Sequence, residues 1–198
     1  MPRPSLKEQR SQQILDAFIV CVARYGLEGA TQERIAARAG VKRTLLRHYL
    51  GNRDDMTAAL VGHLAARFDS MTDALEAALP RTGRVDALLH FMFDADPTQD
   101  AELALAWQAL VAASDQLVGA RKALLGNVSR LVRLVERELA GACPAGDKAQ
   151  VGAVARGIVD IYFSVYALAA LTPPRTWRRA SARAARTLID SLKETTDR

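Results

Sequence analysis

Ala36 and Gly40, two small residues four positions apart between apolar runs, constrain residues 31–55 to short helices joined by a tight turn. Ala36 lets two helices cross closely, and Gly40 takes the φ > 0 conformation that a turn between helices demands. Ile35, Ala39, Val41 and Leu46 fall where they bury the pair against a third helix. Between them, Lys42, Arg43, Thr44, Arg47, His48 and Tyr49 supply donors suited to phosphate oxygens and base edges. The arrangement predicts a helix-turn-helix with a short basic second helix. Lys42 and Arg43 stand at its N-terminal end, the end that approaches base edges.

Helical periodicity and breakers organise the rest. A basic arm over residues 1–8 contains two prolines, and its Arg3 and Lys7 are candidates to touch DNA. A first helix is expected over 8–25, stopped by Gly26. Thr31 caps a second helix ending near 39, because its hydroxyl accepts from a free backbone N–H. The recognition helix covers 42–49. A fourth helix runs over 53–79 before Pro80, with Asp54 and Asp55 complementing the positive end of its dipole, and is long enough to act as a rigid connector. Further helices are expected over 85–93, 99–115, 117–140, 147–171 and 176–193, separated by Asp96-Pro97, by 141–146 and by Pro173-Pro174. No strand alternation, repeat or low-complexity tract interrupts them. The expected class is all-α, with a three-helix head over 1–52 and a helical body over 53–198.

These head residues resemble the TetR family of transcriptional regulators. Thr31, Ile35-Ala36, Ala39-Gly40-Val41, His48-Tyr49-Leu50 and Asn52-Arg53-Asp54 stand where that family has its Thr cap, Ile-Ala, Ala-Gly-Val, aromatic pair and the start of its fourth helix. The detailed resemblance covers about the first quarter of the chain. Lys42, Thr44, Arg47 and Leu50 depart from the residues usual there, so an operator is not transferable from a relative. The resemblance implies that Thr31, Arg47, His48, Tyr49 and Arg53 hold phosphates while Lys42 and Arg43 read bases, with Thr44 a further DNA-binding candidate. It also implies a homodimer through residues 147–171 and 176–193, a palindromic double-stranded operator, and release of DNA when a small molecule occupies the body.

The charge distribution suits that reading. Residues 1–50 hold nine Lys/Arg against four Asp/Glu, residues 51–171 eleven against fifteen, and residues 172–198 seven against three. A positive first segment suits a polyanion, and the acidic middle argues against DNA wrapping the whole chain. Arg34 and Arg38 read as solvated positions or weak phosphate neighbours. Arg178, Arg179, Arg183 and Arg186 read as the wet face of the last helix. The segment 151–171 is apolar nearly all round, so it requires cover on most sides, from its own subunit or from a partner.

Phe68, Met71, Phe91, Met92, Leu103, Trp107, Leu110, Tyr162 and Tyr166 are the candidate walls of an effector cavity, with plain core packing as the alternative for each. Trp107 leads them, a bulky ring among Ala104, Ala106 and Ala109. Few charges share these stripes, so the expected effector is small and apolar or amphipathic. His48, His63 and His90 lie on separate helices without metal-ligand spacing, and no nucleophile or phosphate-loop motif occurs, so neither enzyme activity nor a metal or cofactor is expected. Cys21 belongs to an apolar stripe with Ile14, Phe18, Val22 and Tyr25, whereas Cys143 sits in an exposed loop. No apolar run approaches the ~18–20 residues needed to span a bilayer, and there is no leader-like start. These features predict a cytoplasmic protein. The competing readings are a helical module whose basic head binds an acidic protein partner, and an enzyme using the body cavity.

Overall fold

The structure is a computed structural model describing residues 5–94 and 101–194. Within them lie α1 (Leu6–Gly29), α2 (Gln32–Ala39), α3 (Arg43–Leu50), α4 (Arg53–Ala78), α5 (Arg84–Phe93), α6 (Ala101–Ala112), α7 (Ala120–Ala142), α8 (Lys148–Ala167) and α9 (Arg175–Glu194). No strand occurs among the described residues, and the all-α expectation holds.

Most boundaries fall close to the sequence expectation, and the exceptions have local causes. α1 begins earlier, because Ser5 and Glu8 form a capping box. The Ser5 hydroxyl accepts from the Glu8 N–H at 3.2 Å and the Glu8 carboxylate accepts from the Ser5 N–H at 2.7 Å. Lys7 therefore lies on a helix rather than in an arm, while Arg3 is outside the described residues. Gly26 leaves the helical conformation at φ 72°, as the stop predicted there requires, but another helical turn follows before Ala30. α7 begins three residues later than expected, after Gly119 at φ 77°. After α8 a 3-10 turn, Ala169–Leu171, leads into Pro173-Pro174.

The chain forms two compact units. One comprises Met1–Phe68 and Glu102–Leu125, the other Asp69–Ala101 and Gly126–Arg198. In the first, Ile14, Phe18, Ile35, Leu46, Met56, Leu60, Leu64 and Leu110 are fully buried. Each such side chain contributes roughly 1.5–3 kcal/mol relative to exposure. In the second, Leu88, Met92 and Phe93 of α5, Leu134, Val135 and Leu139 of α7, Ile158 and Val159 of α8 and Ile189 of α9 form one core. Cys21 is buried as expected, and burial pushes its thiol pKa up. Cys143 is half-buried.

One sequence expectation needs correction. Lys148–Leu171 reaches a mean hydropathy of 1.5 and is long and apolar enough, by length and composition, to cross a membrane. From Val151 to Leu171 the run is broken only by Arg156, Asp160 and small residues, which lower the average little. Arg156 and Asp160 neutralise each other one turn apart, with Nε to Oδ2 at 3.0 Å and Nη2 to Oδ1 at 2.8 Å.

Candidate nucleic-acid interface

The turn between α2 and α3 is built by the backbone. Gly40 sits at φ 65°, ψ 33°. Its N–H donates to the Ala37 carbonyl at 3.3 Å, and the Val41 N–H donates to that of Ala36 at 3.0 Å. This pair of bonds is a Schellman motif, which satisfies two carbonyls at the end of α2 and redirects the chain. At the other end of α2 the Thr31 hydroxyl accepts from the Arg34 N–H at 3.4 Å. Thr31 is exposed, and its side chain also hydrogen-bonds the Glu33 carboxylate.

α3 divides into two faces. Leu46 and Leu50 are buried, whereas Arg43, Thr44, Arg47 and His48 are exposed. Lys42 is the N-cap residue and is exposed at the helix start. Tyr49 is half-buried, its ring edge-to-face with that of His48 at 5.1 Å. One surface therefore carries Lys42, Arg43 and Thr44 at the positive end of α3 and Arg47 and His48 in its last turn.

Three arginines have partners within the chain that their sequence positions did not suggest. Arg53, expected on a phosphate, is half-buried. It donates from Nη1 to the Ala30 carbonyl at 2.8 Å and from Nη2 to the Leu27 carbonyl at 2.7 Å, with its guanidinium 5.3 Å from the Phe18 ring centre. It ties the start of α4 to carbonyls at the end of α1, groups that a helix terminus leaves unsatisfied. Arg34 is exposed, as expected, and also donates to the Gly29 carbonyl at 2.6 Å and lies 4.4 Å from the ring centre of Tyr25. Tyr25 accordingly stands 45% exposed rather than on the buried stripe, since the helix breaks at the next residue. Arg43 is exposed but tethered, donating from Nε to Gln32 Oε1 at 3.2 Å and pairing with Glu33. The Glu33 carboxyl is held below the usual range first by its own backbone N–H and further by Arg43. Sequence reasoning passed over Gln32 and Glu33. The signal was there, two polar residues in the first turn of α2 ahead of a basic α3.

The proposed effector walls fall into both units. In the first, the Phe68 and Trp107 rings meet edge-to-face at 6.2 Å, with Leu103 and Leu110 buried nearby in sequence. In the second, Tyr162 packs against Tyr166 at 4.6 Å and Phe93 at 6.3 Å. Met71 is half-buried, Met92 is core, and Phe91 is exposed beside His90.

No family model matches the chain. An HTH-type transcriptional regulator, BetI, from Rhizobium meliloti (strain 1021) is 27% identical over 161 residues, covering 81% of this chain and 79% of its own. A Pseudomonas aeruginosa PAO1 protein described as a candidate transcriptional regulator superposes with a TM-score of 0.76 at 21% identity, covering 94% of this chain and 91% of its own. A TetR-family transcriptional regulator from Streptomyces coelicolor superposes with a TM-score of 0.73 at 16% identity, covering 93% of this chain and 96% of its own. This chain has the TetR-family fold. In that fold the α2–turn–α3 unit is the helix-turn-helix, and the exposed face of α3 is its open side.

Proposed function

We propose that the chain is a sequence-specific DNA-binding transcriptional regulator acting as a homodimer, a repressor released from a palindromic operator by a small apolar or amphipathic ligand. One observation carries the reading: Lys42, Arg43, Thr44, Arg47 and His48 share the exposed side of a short helix whose other side is buried. The names of the similar regulators point the same way. Lys42 and Arg43 read bases in the major groove. Thr31, Arg47, His48 and the Tyr49 hydroxyl hold phosphates. Arg53 supports the head from within. Residues 1–52 are the DNA-binding part and 53–198 the effector and dimerisation part.

The dimer reading is supported by α8. Only 28% of its apolar window is buried within the chain. Ala153, Ser164, Ala167 and Leu171 form an exposed stripe with the Arg156–Asp160 pair, spaced for a facing helix. Two-fold pairing places two recognition helices for successive major grooves, about 34–36 Å apart. The half-buried rings of Phe68, Trp107, Tyr162 and Tyr166 support an effector with apolar surface.

Selection from a random duplex library at near-physiological salt, followed by sequencing, tests the proposal. A two-fold symmetric motif is expected. Arg43→Ala then costs about 1–3 kcal/mol on that motif and relaxes preference at one base position. Salt-sensitive binding without any sequence preference would overturn the reading and favour an acidic protein partner.

A further inference from the structure

A cleft of about 520 Å³ within the second unit is walled by arginines. Arg81 and Arg84 enter from the start of α5, Arg137 from α7 and Arg186 from α9. Only two carboxylates, Asp86 and Glu138, line the same cleft. Glu138 is already saturated. Its side chain is 7% exposed, and Arg84 donates to it from Nε at 2.6 Å and Nη2 at 3.0 Å. The third nitrogen, Nη1, donates to the Pro80 carbonyl at 3.1 Å, so the Arg84 plane is locked as one wall.

The other three cations are accessible. Arg186 pairs with the exposed Asp86, and Arg137 pairs with Glu76 at 2.7 Å and lies 3.7 Å from Glu138. Arg81 is exposed and makes no ion pair among the described residues. Gly83 leaves the floor open: nothing lies within 4 Å of where a Cβ would stand. No side chain caps the helix that begins there. Guanidinium groups from three elements thus face one small space with carboxylates in the minority. A guanidinium fork matches a carboxylate or phosphate through two parallel hydrogen bonds.

We propose that this cleft binds a small polyanion, a molecule carrying two or more carboxylate or phosphate groups, held by Arg81, Arg137 and Arg186 against the Arg84 wall. The ligand displaces Asp86 from Arg186 and takes the free Arg81. The volume suits a metabolite rather than a macromolecular segment. The inference stands whether or not the chain binds DNA.

Isothermal titration of the full chain with pyrophosphate, and separately with citrate, at constant ionic strength tests it. Saturable binding of one anion per chain is expected, and the two arms separate phosphate from carboxylate recognition. Arg81→Ala combined with Arg186→Ala weakens binding at least about tenfold. Arg179→Ala, an exposed arginine of α9 outside the cleft, leaves it unchanged. A second readout uses the unaltered chain. Cys143 lines the cleft and is half-buried, while Cys21 is buried. The bound anion slows alkylation of Cys143 by neutral iodoacetamide with the same concentration dependence as the titration. Absence of saturable binding and of Cys143 protection with both anions overturns the proposal, as does undiminished binding by the double variant or equal loss in Arg179→Ala.

Discussion

Replacing Arg53 by alanine separates two physical roles for one residue. A phosphate contact contributes to DNA affinity and nothing to folding. The structure instead commits both terminal nitrogens to carbonyls of Leu27 and Ala30, at 2.7 and 2.8 Å, with the Phe18 ring beneath. A hydrogen bond from a charged donor contributes about 1.5–3 kcal/mol. The ring contact adds roughly 0.5–1 kcal/mol. Arg53 is only half-buried, so water recovers part of the loss at the freed carbonyls, and the expected cost of Arg53→Ala is about 2–4 kcal/mol. For a chain of this size each kcal/mol moves Tm by roughly 2–4 °C. Thermal unfolding followed by circular dichroism should therefore show a fall on the order of 4–16 °C. Arg53→Lys should fall between wild type and alanine, because one ammonium cannot reproduce the fork across two carbonyls. The argument is refuted if Arg53→Ala keeps its Tm within about 1 °C and instead lowers the slope of log affinity against log salt by ~1, the signature of one lost phosphate contact.

Gly40→Ala meets open space but forces a side chain into the left-handed region, so it should cost about 1–2 kcal/mol by denaturant midpoint, while Gly141→Ala within α7 should be neutral or stabilising. Arg84 hydrogen bonds hold the Glu138 carboxyl below the usual range, with burial opposing them. A depressed folded pKa contributes stability above the ordinary glutamate value, about 4.3, and that stability is lost as pH falls through the lower folded value. The Tm gap between wild type and Glu138→Gln should hold steady above about pH 4.3 and shrink below it; a gap independent of pH contradicts the pairing. Glu33→Gln removes the carboxylate that tethers Arg43, so affinity for the selected DNA should tighten several-fold in a fluorescence anisotropy titration, and a weaker complex would mean that Glu33 orients Arg43 for its contact. Ala167→Glu on the exposed stripe of α8 should shift the mass measured by light scattering from dimer to monomer without loss of helicity.

The α2–turn–α3 unit was legible because its causes are local. Ala36, Gly40 and the Thr31 cap act within a few residues, and the alternation of Leu46 and Leu50 with Arg43, Thr44, Arg47 and His48 separates a buried face from an open one. Helix order and most helix ends followed for the same reason: prolines, glycines and caps act on the backbone beside them. The start of α1 was misplaced only because the Ser5–Glu8 capping box was read as part of an arm.

What an arginine does was not legible, since its guanidinium reaches far from its own backbone and its partner is chosen by tertiary packing. In sequence Arg34, Arg43 and Arg53 are three basic residues of one head. In three dimensions one braces Gly29 and Tyr25, one is held by Gln32 and Glu33, and one ties α4 to the end of α1. The same holds for Arg81, Arg84, Arg137 and Arg186, which lie up to 105 residues apart and share a cleft only because α5, α7 and α9 pack in one unit. Sequence alone determined the helices, their order and the polarity of α3, because those depend on periodicity and on backbone terms felt within one or two turns. Tertiary structure decided which charges remain free to meet an outside partner, because burial and long side-chain hydrogen bonds are settled only when distant segments meet.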